Sequence, residues 1–287
     1  MILLPALALS VLMIITHTYL GLHVLARGVI FVDLALAQVA ALGASLAFLL
    51  GHDAHGSAAL AYAFGAALLA AVGCACLRKI ADITTREVII GCVYVVASAL
   101  SILILSRSSV GMEELKTLLN GNILWVRWQE VGVIGAVYSL LVAAQILLRK
   151  RSAVLAFGKV APGILPPATL AHPCASQGSF GRELLFFMAF AVVITLAVQI
   201  AGVLLVFALL IIPAFSATLL AATPALRLAL GYLLGLMGSV VGLWLSYAAD
   251  LPTGTTMVAV LGLLPLLALA LRPLAGLVKA RRANLLS

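Results

Sequence analysis

Residues 199–220 read QIAGVLLVFALLIIPAFSATLL, an apolar run of about one membrane thickness at about 1.5 Å per helical residue. Gly202 interrupts it near the start and Pro213 near the end. Beyond Pro213 the small residues Ala214, Ser216, Ala217 and Thr218 replace the branched ones, and Arg227 follows. In lipid, a helix gives up backbone hydrogen bonds at Gly or Pro only where protein or water satisfies the freed groups. The run therefore belongs inside a helical bundle, with its bent, small-residue end towards the cytoplasm.

The rest of the chain agrees with such a bundle. Of 287 residues, 65% are hydrophobic and 9% charged, with a mean hydropathy of +1.27. That composition defines an all-α polytopic membrane protein, read here as one transmembrane domain over residues 1–287 with eight to nine helices. Nine spans are expected, near 3–25, 29–50, 57–77, 88–106, 129–148, 183–201, 203–222, 228–248 and 255–272. The sixth and seventh are almost continuous. No basic residue precedes the first span and no small-residue cleavage site follows it, so it is expected to stay.

The net charge of +8 does not point to nucleic acid, because the basic residues lie between apolar runs. Their distribution sets orientation instead. Fourteen of the 17 Lys and Arg fall on alternate connectors and the carboxyl tail, and three (Arg107, Lys116, Arg127) on the others. The basic side is cytoplasmic, which places the amino end outside and the carboxyl end inside the plasma (inner) membrane.

Two connectors are long. Residues 106–129 carry Glu113, Glu114, Trp125 and Trp128 and are placed outside, as an interfacial hairpin or a contact for a substrate-delivering protein. Residues 149–182 are cytoplasmic and hold four prolines, as a linker or a partner contact. Enzymatic signatures are absent: there is no G-x-x-x-x-G-K-[ST] loop for ATP, no G-x-S-x-G, no H-E-x-x-H and no C-x-x-C. Cys74 and Cys76 point to different faces of a helix and read as packing residues, and no disulfide is expected. Gly231, Gly235, Gly238 and Gly242 form a smooth stripe for close helix approach, from this chain or a second copy.

Polar groups inside spans are costly and face a bundle interior or a water path. His17 lies in the first span, with His23 nearer its end, and Asp33 and Gln38 lie in the second. Asp33 reads either as a path residue or as a carboxylate complementing its helix's amino end. His52, Asp53 and His55 make an outer G-H-D-A-H-G cluster of metal-compatible type, or a polar turn.

Several segments taken in order resemble the permease subunits of zinc, manganese and iron ABC importers. They are LGL at 20–22 through Arg27, FVDLALAQVAALG at 31–43, the stretch from Asp82 and Ile83 through Gly91, LLNGNIL at 118–124, the 199–220 run, and SYAADLPTGTTMV at 246–258. The resemblance implies a permease without a permanent cofactor, moving a divalent metal, zinc or manganese ahead of iron, by alternating access. It also implies a second permease copy, cytoplasmic ATPase subunits and an extracytoplasmic metal-binding protein as partners.

On this reading Asp33, Gln38 and His17 line the path, with Asp33 the metal ligand. His52, Asp53 and His55 form the outer mouth, and Pro213, Ala217, Ala221 and Arg227 couple to the ATPase. One departure stands out. The family's second span carries D-x-x-x-H, where this chain has Leu34 and Gln38. Asp33 is five residues from Gln38, about 140° around a helix, so one helix does not present both to one ion. An ion-coupled carrier or channel working without ATPases is the rival reading, and a metal chelate the rival cargo.

Overall fold

The computed structural model describes residues 3–53, 56–80, 82–107, 111–121, 123–149 and 180–284, and among them every element is helical. The long helices are α1 (Leu3–Arg27), α2 (Val32–Leu49), α3 (Ser57–Ile80), α4 (Ile83–Leu105), α6 (Trp128–Arg149), α7 (Phe180–Leu220), α8 (Pro224–Ala249) and α9 (Thr253–Asn284). The ten-residue α5 (Gly111–Asn120) and a 3-10 turn (Ile123–Trp125) separate α4 from α6.

The 41 residues of α7 would reach about 60 Å if straight, twice the hydrocarbon thickness. They do not run straight, because Gly202 has φ 77 and ψ 158, outside helical space. At one end of α7, Phe186 lies under the Arg27 guanidinium that closes α1, 3.5 Å from ring centroid to carbon. At the break, Gly202 abuts Gly121 and Leu119 beside α5. Past the break, Ala217 meets Gly231 of α8, far from the α8–α9 turn where Gly254 touches Asn120. The second arm therefore turns back across the bilayer. Among the described residues seven helices are long and apolar enough to cross a membrane, α6 adds a shorter apolar stretch over Trp128–Ala143, and the kink at Gly202 falls between the expected sixth and seventh spans.

The core sits around both arms of α7. Phe190, Ile194, Leu205, Leu209 and Leu210 are completely or almost completely buried, and α1, α2, α3, α8 and α9 all pack on them. A branched, flexible side chain would hold these helices apart. Small residues at the crossings remove that obstacle: a Cβ at Gly21 would run into the Leu210 carbonyl, and one at Gly242 would come 2.7 Å from the Met257 Cα. The glycine stripe of α8 thus faces α1, α7 and α9 of its own chain. Gly231 meets Thr18, Gly235 meets Ile14 and Pro213, and Gly238 meets Leu261.

Helix α5 roofs this bundle. Leu118 on its inner face packs with Ala41 and Leu105, while Glu113 is exposed. The outer connector, read from sequence as a hairpin, is thus an amphipathic helix, with Trp125 and Trp128 exposed beside it. Its end is pinned where Gly121, Gly202 and Gly254 bring three backbones together around Asn120.

The break predicts a large local penalty. At Gly202 a Cβ would lie 2.7 Å from the Leu119 carbonyl oxygen, and the positive φ is strained for any L side chain. Gly202→Ala is expected to cost at least about 1–3 kcal/mol from the backbone alone, read as a lower unfolding midpoint of the purified protein. Gly262→Ala, in open space on α9, should leave the midpoint unchanged.

Candidate functional site: buried polar groups on α1 and α2

Several hydroxyls in the core are satisfied within their own helix. Ser10 donates to the Ala6 carbonyl (2.8 Å), Ser45 to Ala41 (2.9 Å) and Ser101 to Ala97 (2.9 Å). Such back-bonding to the residue one turn earlier lets a hydroxyl sit in lipid or core at little cost. His17 and Asp33 keep ionisable atoms without a hydrogen-bond partner among the described residues, and the buried hydroxyls of Thr18, Thr195, Ser216 and Ser239 are likewise without one.

His17 is fully buried in the middle of α1. Its Nδ1 lies 3.0 Å from the Met13 carbonyl oxygen, whereas Nε2 is buried without a hydrogen-bond partner. The ring stands 5.9 Å, centroid to centroid, from that of Tyr138 on α6. Tyr138 is itself held, its hydroxyl donating to the Val193 carbonyl of α7 at 3.3 Å. Asp33 on α2 is fully buried as well, and neither carboxylate oxygen has a hydrogen-bond partner among the described residues. Gln38 is 3% exposed on the same helix.

The placement of Asp33 follows from its surroundings. Gly28, at φ 67, turns the chain between α1 and α2 and lies against Ile83 of α4. The Phe31 N–H then donates to Glu87 Oε1 at 2.9 Å, so a carboxylate of α4 answers the opening of α2. That frees Asp33 from capping duty. It sits in the first turn of α2 but accepts no hydrogen bond there, so only the helix dipole supports the helix-end reading.

The remaining expected site residues separate into two groups. At the outer end, His52 and Asp53 are exposed, and the His52 ring lies 6.1 Å from that of Tyr62. His55 lies outside the described residues. Among those described, no three His, Cys, Asp or Glu side chains come together as a metal cluster.

At the other end, the residues expected to meet the ATPase are mostly interior. Ala217 and Pro213 pack against α8, Ala221 is 5% exposed, and Arg227 is buried with its Nε donating to the Ala221 carbonyl at 2.9 Å. Arg227 therefore ties the end of α7 to the start of α8. The surface there belongs to Ala222, Thr223, Ala225 and Leu226, which are exposed. Sequence spacing does not separate the two sets, because a helix end marked by small residues looks the same whether those residues face a partner or a neighbouring helix.

A bundle of kinked and re-entering membrane helices around buried, unanswered polar groups defines a transport permease rather than an enzyme. The ABC 3 transport family matches residues 1–272, and the chain belongs to it. It is the membrane permease subunit of an ABC transporter.

Its relatives are distant but collinear. The manganese transport system membrane protein MntC of Listeria monocytogenes is 25% identical over 281 residues, covering 98% of this chain and 94% of the relative. The protein named "Probable iron transport system membrane protein" in Haemophilus influenzae is 24% identical, covering 79% of this chain and 80% of the relative. In fold the chain is similar to PsaBC of Streptococcus pneumoniae, solved with a Fab, with a TM-score of 0.67 and 23% identity over 98% of this chain and 95% of that one.

Proposed function

We propose that this chain forms the translocation path of an importer for a divalent transition metal, working by alternating access and powered by ATP hydrolysis in partner subunits. The carrying observation is the fully buried, unanswered Asp33 carboxylate inside a bundle that belongs to an ABC transport family. Such a group in a membrane core is retained for a partner or a cargo. His17 and Gln38 join it as path residues, and His52, Asp53 and His55 form the outer mouth. The relatives above are named for manganese transport and for probable iron transport, which supports manganese as the first cargo to try, with zinc and iron beside it.

Residues 1–287 act as one permease domain in the plasma (inner) membrane, paired with a second, identical copy. Cytoplasmic ATPase subunits meet the α7–α8 turn, supported by Pro213, Ala217, Ala221 and Arg227 behind it. A metal-binding protein docks outside on the α5 face. An ion-coupled carrier is disfavoured by membership of an ABC transport family.

The proposal fixes an orientation. With the native cysteines replaced, Ser106→Cys is expected to react with an impermeant thiol reagent added outside, while Asp82→Cys and Ala222→Cys are not. All three positions are exposed at helix ends. The reverse labelling would turn the chain over and move the coupling surface to the wrong side.

A further inference from the structure

We infer that Glu87 of α4 is a positioning residue for transport: it caps α2 from the neighbouring helix and so fixes the depth and register at which α2 enters the bundle. That α2 lies on the path rests on the importer reading; the cap rests on geometry.

The amino end of α2 has no cap of its own. Its capping position is Phe31, whose side chain holds no acceptor where Ser, Thr, Asp or Asn would answer the first free N–H groups. Asp33 in the first turn accepts no hydrogen bond either. The Phe31 N–H donates instead to Glu87 Oε1 at 2.9 Å, across 56 positions of sequence. A carboxylate suits that place, because the bond is charge-assisted and the negative charge meets the positive end of the α2 dipole. Helix caps are ordinarily local in sequence. One that arrives from another helix does a second thing: it ties the start of α2 to the start of α4.

Little else holds that end. Only residues 28–31 separate α1 from α2, yet the two helices do not pack appreciably on each other. Helix α1 packs on α6, α7 and α8, whereas α2 packs on α3, α4 and α7. The turn between them opens at Gly28, whose φ of 67 marks a residue that gives freedom rather than stiffness. Gly28 lies against the Ile83 side chain, and Phe31 is bonded to Glu87. Ile83 and Glu87 are four residues apart and share one face of the first turns of α4. That face therefore carries both ends of the α1–α2 turn.

From this anchor each residue of α2 takes its depth at about 1.5 Å of rise. Asp33 and Gln38, fully and almost fully buried, are placed by it. The second oxygen of Glu87 is buried without a hydrogen-bond partner among the described residues, a cost set against the tie. Removing Glu87 does not threaten the helix itself. Phe31 is 46% exposed, so water answers its N–H once the carboxylate is gone. Position is lost, and the fold is kept.

The test uses the purified permease–ATPase assembly in vesicles, with Glu87→Ala, Glu87→Gln and Glu87→Asp beside wild type. Val88→Ala, at an exposed neighbour, is the control and should change nothing. Amide hydrogen exchange is read over residues 28–36, and manganese(II) moved is read per ATP hydrolysed, a ratio that loss of folded protein does not alter. Glu87→Ala is expected to speed exchange about tenfold, as loss of a charge-assisted hydrogen bond implies, and to lower the ratio several-fold. The amide oxygen of Glu87→Gln accepts the same bond and should restore most of both. Glu87→Asp keeps the charge but falls one methylene short of the N–H. It should fail as Glu87→Ala does, and it takes that variant's place if Glu87→Ala does not assemble.

Unchanged exchange without the Glu87 carboxylate overturns the anchor. Faster exchange with an unchanged ratio leaves Glu87 a cap and overturns its role in transport. A wild-type assembly that hydrolyses ATP and moves no metal sinks the importer reading instead, and the exchange difference between Glu87→Ala and Glu87→Gln then decides the anchor by itself.

Discussion

Asp33→Asn is expected to lower ATP-driven metal uptake at least tenfold while the chain still assembles with its ATPase. The substitution keeps the size of the side chain and much of its hydrogen-bonding capacity, so α2 should pack as before. Only the negative charge goes. In a water-poor interior, the attraction between a carboxylate and a divalent ion is worth far more than the roughly 1.4 kcal/mol that separates a tenfold change. Asp33 accepts no hydrogen bond from the amino end of α2, because Glu87 of α4 serves the Phe31 N–H there. Loss of the charge should therefore spare the helix and fall on transport. The assay is uptake by reconstituted vesicles, with assembly checked by co-purification. A fully assembled Asp33→Asn transporter working at the normal rate would reduce Asp33 to a helix-end residue.

Leu226→Glu is expected to abolish coupling, with uptake lost by tenfold or more and ATP hydrolysis in the partner subunits no longer responding to the permease. Leu226 is 49% exposed in the first turn of α8, beside the exposed Ala222 and Thr223. Behind it the turn is rigid, since Arg227 is clamped to the Ala221 carbonyl and Ala217 is packed on Gly231. A rigid corner with an apolar tip is suited to transmitting force from a partner's groove, and a charge at the tip would be buried there without a counterpart. By contrast, Ala217→Glu should fail earlier, as protein that does not fold, because that side chain has no exit from the core. Coupled transport by Leu226→Glu would move the contact elsewhere, with residues 149–182 the next segment to test.

The fold was largely legible because membrane-spanning helices announce themselves by length and by the side on which Lys and Arg collect. Even the division of α7 could be seen, since only glycine accommodates φ 77 and ψ 158 between two apolar runs. The glycines of α8 announced close packing but not their partners. Periodicity defines a face of one helix and carries no information about which helix meets it.

The site was legible only as a set of costly residues. His17, Asp33 and Gln38 drew notice because polar side chains are expensive in lipid. Nothing in their spacing said that the His17 ring would stand 5.9 Å from that of Tyr138, a residue more than 100 positions downstream. Tyr138 itself gave no signal, because a tyrosine in an apolar span reads as an ordinary membrane aromatic. Which residues of the α7–α8 corner face outward was hidden for a similar reason. Ala217 and Ala221 are small because α8 lies against them or close by, and the exposed apolar tip one step beyond carries no motif.

The most direct measurement is metal uptake into vesicles holding the purified permease with its ATPase, with manganese, iron and zinc supplied in turn. ATP-dependent accumulation of at least one of these metals, abolished when hydrolysis is blocked, is the result expected of an importer built around Asp33. Accumulation by the permease alone, driven by an ion gradient and indifferent to ATP, would contradict it.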